Sequence, residues 1–396
     1  GNYALFNNTS SDNTSVGRDS MFYNTTGYQN VAVGESSLEN NTTAQDNTSI
    51  GYQAMKLNTT GSYNTGVGKE ALYANTTGAF NTAFGRFALL DNTTGASNTA
   101  LGTNALANNT TADANVAVGT NTLNVNTTGE RNVAVGHEAL RYNTASDNTA
   151  VGRLALTTNT SGEQNTAMGS IAGYQISTGI RNTLIGYQAG RQISTGSRNT
   201  GMGTYALDGL STGSYMSAFG YGALYANTSG EKNTAIGYAS LFTNTTGSHN
   251  VAIGHNSLDH STTGDYSVGV GAFALDANTT GFKCVAVGGN ALKNQTTPQR
   301  NTAVGYNSLL QTTTGQYNTA IGNDAGNEHT TGNYNTFVGF NAGRTSSPSG
   351  SITTQSNNVV LGDNNVTALY CADTSISSSD KRDKTDVADF THGLDW

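Results

Sequence analysis

Asn81–Ser97 reads N-T-A-F-G-R-F-A-L-L-D-N-T-T-G-A-S, and Asn98 begins the same pattern again. The glycine of this stretch, Gly85, recurs every 17 residues from Gly17 to Gly136 and again from Gly152 to Gly339. A single step of 16 separates Gly136 from Gly152, and Gly1 stands 16 residues before Gly17. A short fixed period is the mark of a solenoid, in which each copy is one coil stacked on the last. The fold class expected is therefore all-β: a parallel β-solenoid, or β-roll, of about 20 coils with a 17-residue period. Function then follows from an elongated shape more than from a chemical site.

Each residue of a copy has a slot counted from this glycine, negative before it and positive after it. Slot −4 is Asn in 17 of the 20 copies from Gly17 to Gly339, the exceptions being Met216, Ser267 and Cys284. Slot −3 is mostly Thr or Val, slot −2 usually Ala, and slot −1 aliphatic, Met or Phe, as at Val16, Phe84, Met168 and Ile236. N-T-A-V-G reads as a short strand ending in a corner, because β-branched residues fit a pleated surface. Slots +3 and +4 hold a small residue and usually Leu, as in Ala71-Leu72 and Ala88-Leu89. This pair is expected to mark a second short strand, followed by a turn such as Asn75-Thr76-Thr77-Gly78. Helix competes for the Ala-Leu pairs, but the recurrent Asn, Gly and β-branched residues oppose it.

Comparing copies with one another predicts packing. Where slot −2 is large, the neighbouring Leu disappears: Leu184 lies between Gly173 and Gly190, and Phe337 between Gly326 and Gly343. Close-packed cores tolerate volume-conserving exchange best, so slots −2 and +4 should share a layer. The corner glycine is never replaced from Gly17 to Gly339, which predicts a positive φ or a backbone pressed against it. The turn glycine gives way to Ala44, Ala112, Ala145 and Pro298, so its slot cannot demand a left-handed residue. With coils about 4.8 Å apart, the stack would be a rod of roughly 95 Å with open edges only at its ends.

Composition excludes several classes. Charged residues are 11% of the chain and the net charge is -8, which argues against a nucleic-acid groove. No apolar run approaches the ~18 residues of a membrane helix, so no membrane insertion is expected. Disordered chains lack the periodic aliphatic residues seen in every copy. Because the chain opens on the repeat's own Gly1, the true N-terminus is expected to lie upstream. Cys284 and Cys371 are too far apart in a linear stack to pair.

Beyond Gly339 the register breaks. The domains expected are a repeat shaft over 1–343, a linker with one last rung over 344–378 (Asn357–Gly362 being the rung), and a truncated C-terminal unit over 379–396. Charges crowd into that unit: Asp380, Lys381, Arg382, Asp383, Lys384, Asp386, Asp389 and Asp395.

The repeat N-T-A-V-G-x-x-A-L-x-x-N-T-T-G resembles repeats of phage tail fibres and large bacterial surface proteins. It is also similar, with a longer coil, to the head repeats of trimeric autotransporter adhesins. The resemblance covers Gly1 to about Gly362 and implies a homotrimer of parallel β-rolls, with a host-surface receptor, glycan included, as partner. A trimer also answers a physical need. Alternation along Asn-Thr-Ala-Val leaves both strand faces partly apolar, so one fills the coil and the other needs a partner. The sequence does not say which face is which. Ser378–Lys384, followed by Gly393-Leu394-Asp395-Trp396, resembles the start of the endosialidase-type intramolecular chaperone. That resemblance implies one-time self-cleavage with Ser379 as nucleophile and Lys384 as the base that activates it.

Asn-x-Thr sequons such as Asn58, Asn75 and Asn92 read as turn and ladder residues before they read as glycan acceptors. The histidines His137, His249, His255, His260, His329 and His392 share no slot, and no metal site or cofactor is expected. Carboxylates such as Glu35, Asp91 and Glu163 are scattered singly, without the pairing that glycoside cleavage needs, so no enzyme is expected beyond the self-cleavage. Tyr23, Tyr73, Tyr142 and Tyr225 fall at or near the slot after Leu, where they cover the flank or offer stripes to sugars. The leading expectation is a structural, adhesive fibre: a stiff trimeric shaft in a virion tail or on a cell surface. The alternative is a secreted solenoid whose repetitive side face binds glycan or ice.

Overall fold

The computed structural model describes residues 1–297 and 299–368. The described chain contains three-residue strands and turns, and no helix. It divides into two units, Gly1–Ala252 and a second that begins at Ile253.

In the first unit, fourteen strands run from β1 (Thr14–Val16) through β2 (Val31–Val33) to β14 (Thr234–Ile236). Each pairs in parallel with the next, one coil on: Thr65 faces Thr82, Ala83 faces Ala100, and Val118 faces Val135. Like therefore lies on like in columns along the axis. The second unit repeats the arrangement through the six strands from β16 (Val268–Val270) to β21 (Val359–Leu361). There β21 pairs with β20 (Thr336–Val338), so Asn357–Gly362 forms a rung after the register break. Each unit is thus an all-β parallel solenoid with a 17-residue period.

The middle residue of each strand points inward. Ala83, Ala100, Ala117 and Ala134 are fully buried, while their slot −3 and −1 neighbours are half-exposed or exposed. The question left open by the alternation is answered: Ala fills the coil, and Thr/Val and Val/Ile face outward.

The expected second strand is absent; each coil has one. The Ala-Leu segment is instead a turn in which residues at slots +2 and +4 take left-handed φ: Glu70 and Leu72 at 53°, Leu89 at 51°, Leu106 at 50°. The reason lies in hydrogen bonding within a very narrow coil. Alternating handedness folds the chain tightly yet keeps its amides pointing along the axis. Glu70 N donates back to Tyr52 O at 2.9 Å, and Leu72 N donates forward to Ala88 O at 2.9 Å. The left-handed conformation costs each Leu roughly 1–2 kcal/mol, and burial of the side chain offsets it with about 1.5–3 kcal/mol. The Leu side chains are fully buried.

The shared layer of slots −2 and +4 is present. A Cβ on Gly190 would lie 2.6 Å from Leu184 Cδ2, and one on Gly326 would lie 2.7 Å from Phe337 Cδ2. Leu184 and Phe337 are completely buried and fill space that two leucines occupy elsewhere.

The other half of the interior is amide. Asn at slot −4 and Asn at slot +7 are both buried columns. Asn75 Nδ2 donates to Gly78 O of its own turn at 2.9 Å and to Asn58 Oδ1 of the coil before at 2.7 Å. Asn64 Nδ2 donates to the same Gly78 O at 2.9 Å, and Asn64 Oδ1 accepts from Asn81 N at 2.9 Å. Buried polar groups are costly unless bonded, and the repeat satisfies them by translation. Where the slot +7 column turns apolar at Ile176, Ile193 and Leu210, the flanking amides lose their partners. Asn159 Oδ1 and both side-chain atoms of Asn227 are buried without a hydrogen bond.

Candidate functional site

No enclosed catalytic constellation organises the described chain; its recurrent features are columns. The first is the outward side of the strands. In the first unit, Val16, Ile50, Phe84, Leu101, Met168 and Ile236 are exposed at slot −1, Phe84 by 48%. In the second, Ile321, Val338 and Leu361 continue the pattern. The slot −3 column beside it holds mostly Thr or Val, half-buried for the most part. Each unit therefore carries an apolar, nearly uncharged stripe on its sheet face, because a strand with Ala inward must send Val and Ile outward.

The second column is the turn. Asn58, Asn75 and Asn92 are fully buried with their Nδ2 atoms engaged, so these three amides are not offered for modification in the folded coil, whereas Asn108, in the sequon Asn108-Asn109-Thr110, is exposed. The following Thr hydroxyls tie the coils together: Thr76 Oγ1 donates to Thr93 O at 3.0 Å, and Thr93 Oγ1 to Thr110 O at 3.0 Å.

The titratable residues fall in different places. Glu35 pairs with Arg18, while Asp91 and Glu163 are exposed. Among the described residues, one group of three potential metal ligands comes together: Asp259, His260 and Asp276, with ligand atoms within 4.8 Å of one another. His260 Nδ1 lies 3.3 Å from Asp276 Oδ1, so the group closes as an ion pair when His260 is protonated. Burial raises the Asp259 carboxyl above its ordinary range. Asp259 and Asp276, a chain neighbour and a residue one coil on, were not singled out by the sequence, in which the six histidines share no slot. His255 packs edge-on against Phe273, with ring centroids 5.2 Å apart.

His329 stands in the slot +7 column in place of Asn and is fully buried. Its Nδ1 lies 3.0 Å from Thr312 Oγ1 and its Nε2 3.2 Å from Asn335 Nδ2. Asn335 Oδ1 is taken by Asn358 N, so the amide presents its donor to the ring. Nε2 must then be unprotonated, and burial lowers the His329 pKa to about 4. Cys284, in the slot −4 column, is a buried thiol approached by Gln295 Nε2 at 2.9 Å, and burial pushes its pKa up.

The aromatic residues cover the flank in places and stack in others. Tyr63 stacks on Phe80 with centroids 5.0 Å apart, and Tyr225 on Phe242 at 4.8 Å. Tyr23 and Tyr142 are exposed. Cys371, His392, Ser379, Lys384 and the charged segment around them lie outside the described residues. Compared with known proteins, the chain matches no family model and no curated protein.

Proposed function

We propose that this chain is a structural and adhesive fibre segment: a stiff shaft built by three parallel copies, in a phage tail fibre or cell-surface appendage, that holds a receptor-binding surface away from its base. The observation that carries the reading is the outward apolar stripe at slot −1. Contiguous exposed apolar surface on this scale is a feature of interaction faces, because an uncovered stripe would aggregate. Burial of Ala on the inner face leaves Val, Ile, Leu and Phe for a partner with the same 17-residue rhythm, and a second and third copy supply that rhythm in register. The axial hydrogen-bond columns support stiffness, since each coil is tied to its neighbours through backbone, Asn and Thr groups at once. The function proposed is attachment to a host or other surface, with no catalytic turnover. A one-time self-cleavage through Ser379 and Lys384 belongs to this proposal only where a full C-terminal chaperone follows.

Native mass measurement tests the assembly. Three chains are expected at micromolar concentration, and Phe84→Lys with Leu101→Lys should shift the population toward single chains. A wild-type chain that stays single across that range removes the proposal.

A further inference from the structure

We propose that a cleft on the flank of the first unit, between Tyr221 and Tyr225, is a binding site for a neutral hexopyranose, the ring of an uncharged glycan. The assignment deepens the attachment reading and rests on it for the origin of the ligand, though not for the geometry.

The cleft exists because of what four consecutive coils place in the columns after the corner. Slot +1 holds Tyr187, Thr204, Tyr221 and Tyr238; slot +2 holds Gln188, Tyr205, Gly222 and Ala239; slot +5 holds Arg191, Asp208, Tyr225 and Phe242. Thr204 leaves a gap in the slot +1 column, and the Tyr205 ring closes it edge-on, 5.6 Å from Tyr187 and 5.8 Å from Tyr221. One coil further, Gly222 has no side chain where Tyr205 stood. The Phe242 ring lies over that position instead, where a Cβ would come within 2.9 Å of it. Two aromatic pairs flank Tyr205, whose ring is 5.8 Å from Tyr221 and 6.2 Å from Tyr225. Tyr221 stacked on Tyr238 forms one, with centroids 5.2 Å apart, and Tyr225 stacked on Phe242 the other, at 4.8 Å. The space is about 350 Å³ and is lined by Gln188, Arg191, Tyr205, Asp208, Tyr221, Tyr225 and Phe242. That is at the small end of the ~300–1,000 Å³ of ligand sites, which combine apolar walls with a few placed polar groups.

The polar groups are at its lower end. Arg191 Nε donates to Asp208 Oδ1 at 2.8 Å and Nη2 to Asp208 Oδ2 at 3.1 Å. Asp208 is 2% exposed, so this is a built, bidentate pair on the cleft wall. Its two bonds leave further guanidinium donors for a hydroxyl oxygen. Gln188 Nε2 is engaged with Tyr187 OH at 3.1 Å, which leaves the Gln188 side-chain carbonyl as an acceptor.

These features select a sugar. A pyranose presents C–H edges to aromatic faces, whose quadrupole is negative, and hydroxyls at its rim to donors and acceptors. Charge selects a neutral one, because the Arg191 cation is already matched by Asp208 and offers no unpaired charge to a carboxylate or phosphate. The net charge of -8 further disfavours anionic ligands. The coils of Asn104 and Asn121 lack the combination: they carry Thr103 and Thr120 at slot +1 and Ala107 and Asn124 at slot +5.

Saturation-transfer NMR and titration of the full chain with the methyl glycosides of glucose, galactose and mannose test this, with 3′-sialyllactose and adenosine as comparators. At least one neutral hexoside should bind, with transfer concentrated on its ring C–H protons. Gly222→Asn should weaken that binding at least tenfold by displacing the Phe242 ring, 2.9 Å from where its Cβ would stand, at a backbone φ that Asn104 and Asn121 adopt in the same slot (58° and 55° beside 62° at Gly222). Tyr205→Ala should weaken it similarly. Absence of neutral hexoside binding, preference for sialyllactose or adenosine, or unchanged binding in both variants overturns the proposal. A chain that assembles as three copies but binds no hexoside sinks the cleft alone; a single chain that binds hexoside sinks only the assembly.

Discussion

The corner wall and the turn wall of each coil are made from the same short vocabulary, yet they differ sharply in what they tolerate. Every corner from Gly17 to Gly339 is glycine. The turn opposite accepts Ala44, Ala112 and Ala145, apolar Ile176 and Leu210 in an amide column, and His329 in another coil of the same column. It also absorbs a 16-residue coil, in which Asn148 N still reaches Asn132 Oδ1 at 3.0 Å, and a 23-residue one, in which Asn358 N reaches Asn335 Oδ1 at 3.0 Å. The difference teaches that tolerance here follows backbone conformation as well as available space. Both glycine columns press against a carbonyl of the next coil. The corner adds a φ of 130–141° from Gly17 to Gly322, outside the reach of L side chains, while the turn glycines have no positive φ. A turn can therefore yield by stretching its bonds. Thr93 N donates to Thr110 O at 2.9 Å, whereas beside Ala112 the equivalent bond from Thr110 N to Thr127 O is 3.4 Å.

Three measurements would break or sharpen this contrast. The largest effect is expected at the corner. Gly186 has φ 135°, and a Cβ there would lie 2.5 Å from Gly203 O, with backbone on every near side. Gly186→Val should cost at least about 3 kcal/mol, the sum of a disallowed φ and a backbone clash. Amide exchange at Gly203, whose N–H bonds Ile185 O at 2.8 Å, should accelerate accordingly. Protection that survives the substitution would abolish the distinction between the walls.

The next effect is the pH dependence of His329 on the turn wall. Its folded pKa of about 4 lies below the ordinary 6.5, so the unfolded chain binds the extra proton first. Stability associated with this group is intact above pH 6.5 and falls as pH drops from 6.5 toward 4. By pH 5 the loss should be about 2 kcal/mol. His329→Asn, which restores the repeat's own residue, should remove that slope in denaturant unfolding at pH 7 and pH 5. An unchanged slope would place the proton elsewhere. The smallest effect is expected for Gly78→Ala, at less than about 1 kcal/mol by the precedent of Ala112 in the same slot. Its thermal transition should shift little; a loss as large as that of Gly186→Val would make the two columns equivalent.

Contacts along the axis were legible because they join residues one period apart. The strand register, the corner glycine and the pairing of Leu184 with Gly173 and Gly190 all follow from comparing one copy with the next. Contacts around the coil were not. The Ala-Leu pair reads as a strand because Leu is a poor left-handed residue by itself, and only closure of a narrow coil makes φ near 50° worthwhile. The slot +7 Asn read as a turn residue, and the structure shows it to be an interior one.

By itself, then, the sequence determined that this chain stacks, at what interval, and which residue may stand at each corner, because a 17-residue repeat forces identical neighbours along the axis. The tertiary structure decided which strand face is inside, that amides form half the interior, and that Tyr205, Tyr221, Tyr225 and Phe242 line one cleft. Those facts depend on how one turn of backbone closes across its own width, and a linear pattern does not carry the dihedral angles that close it.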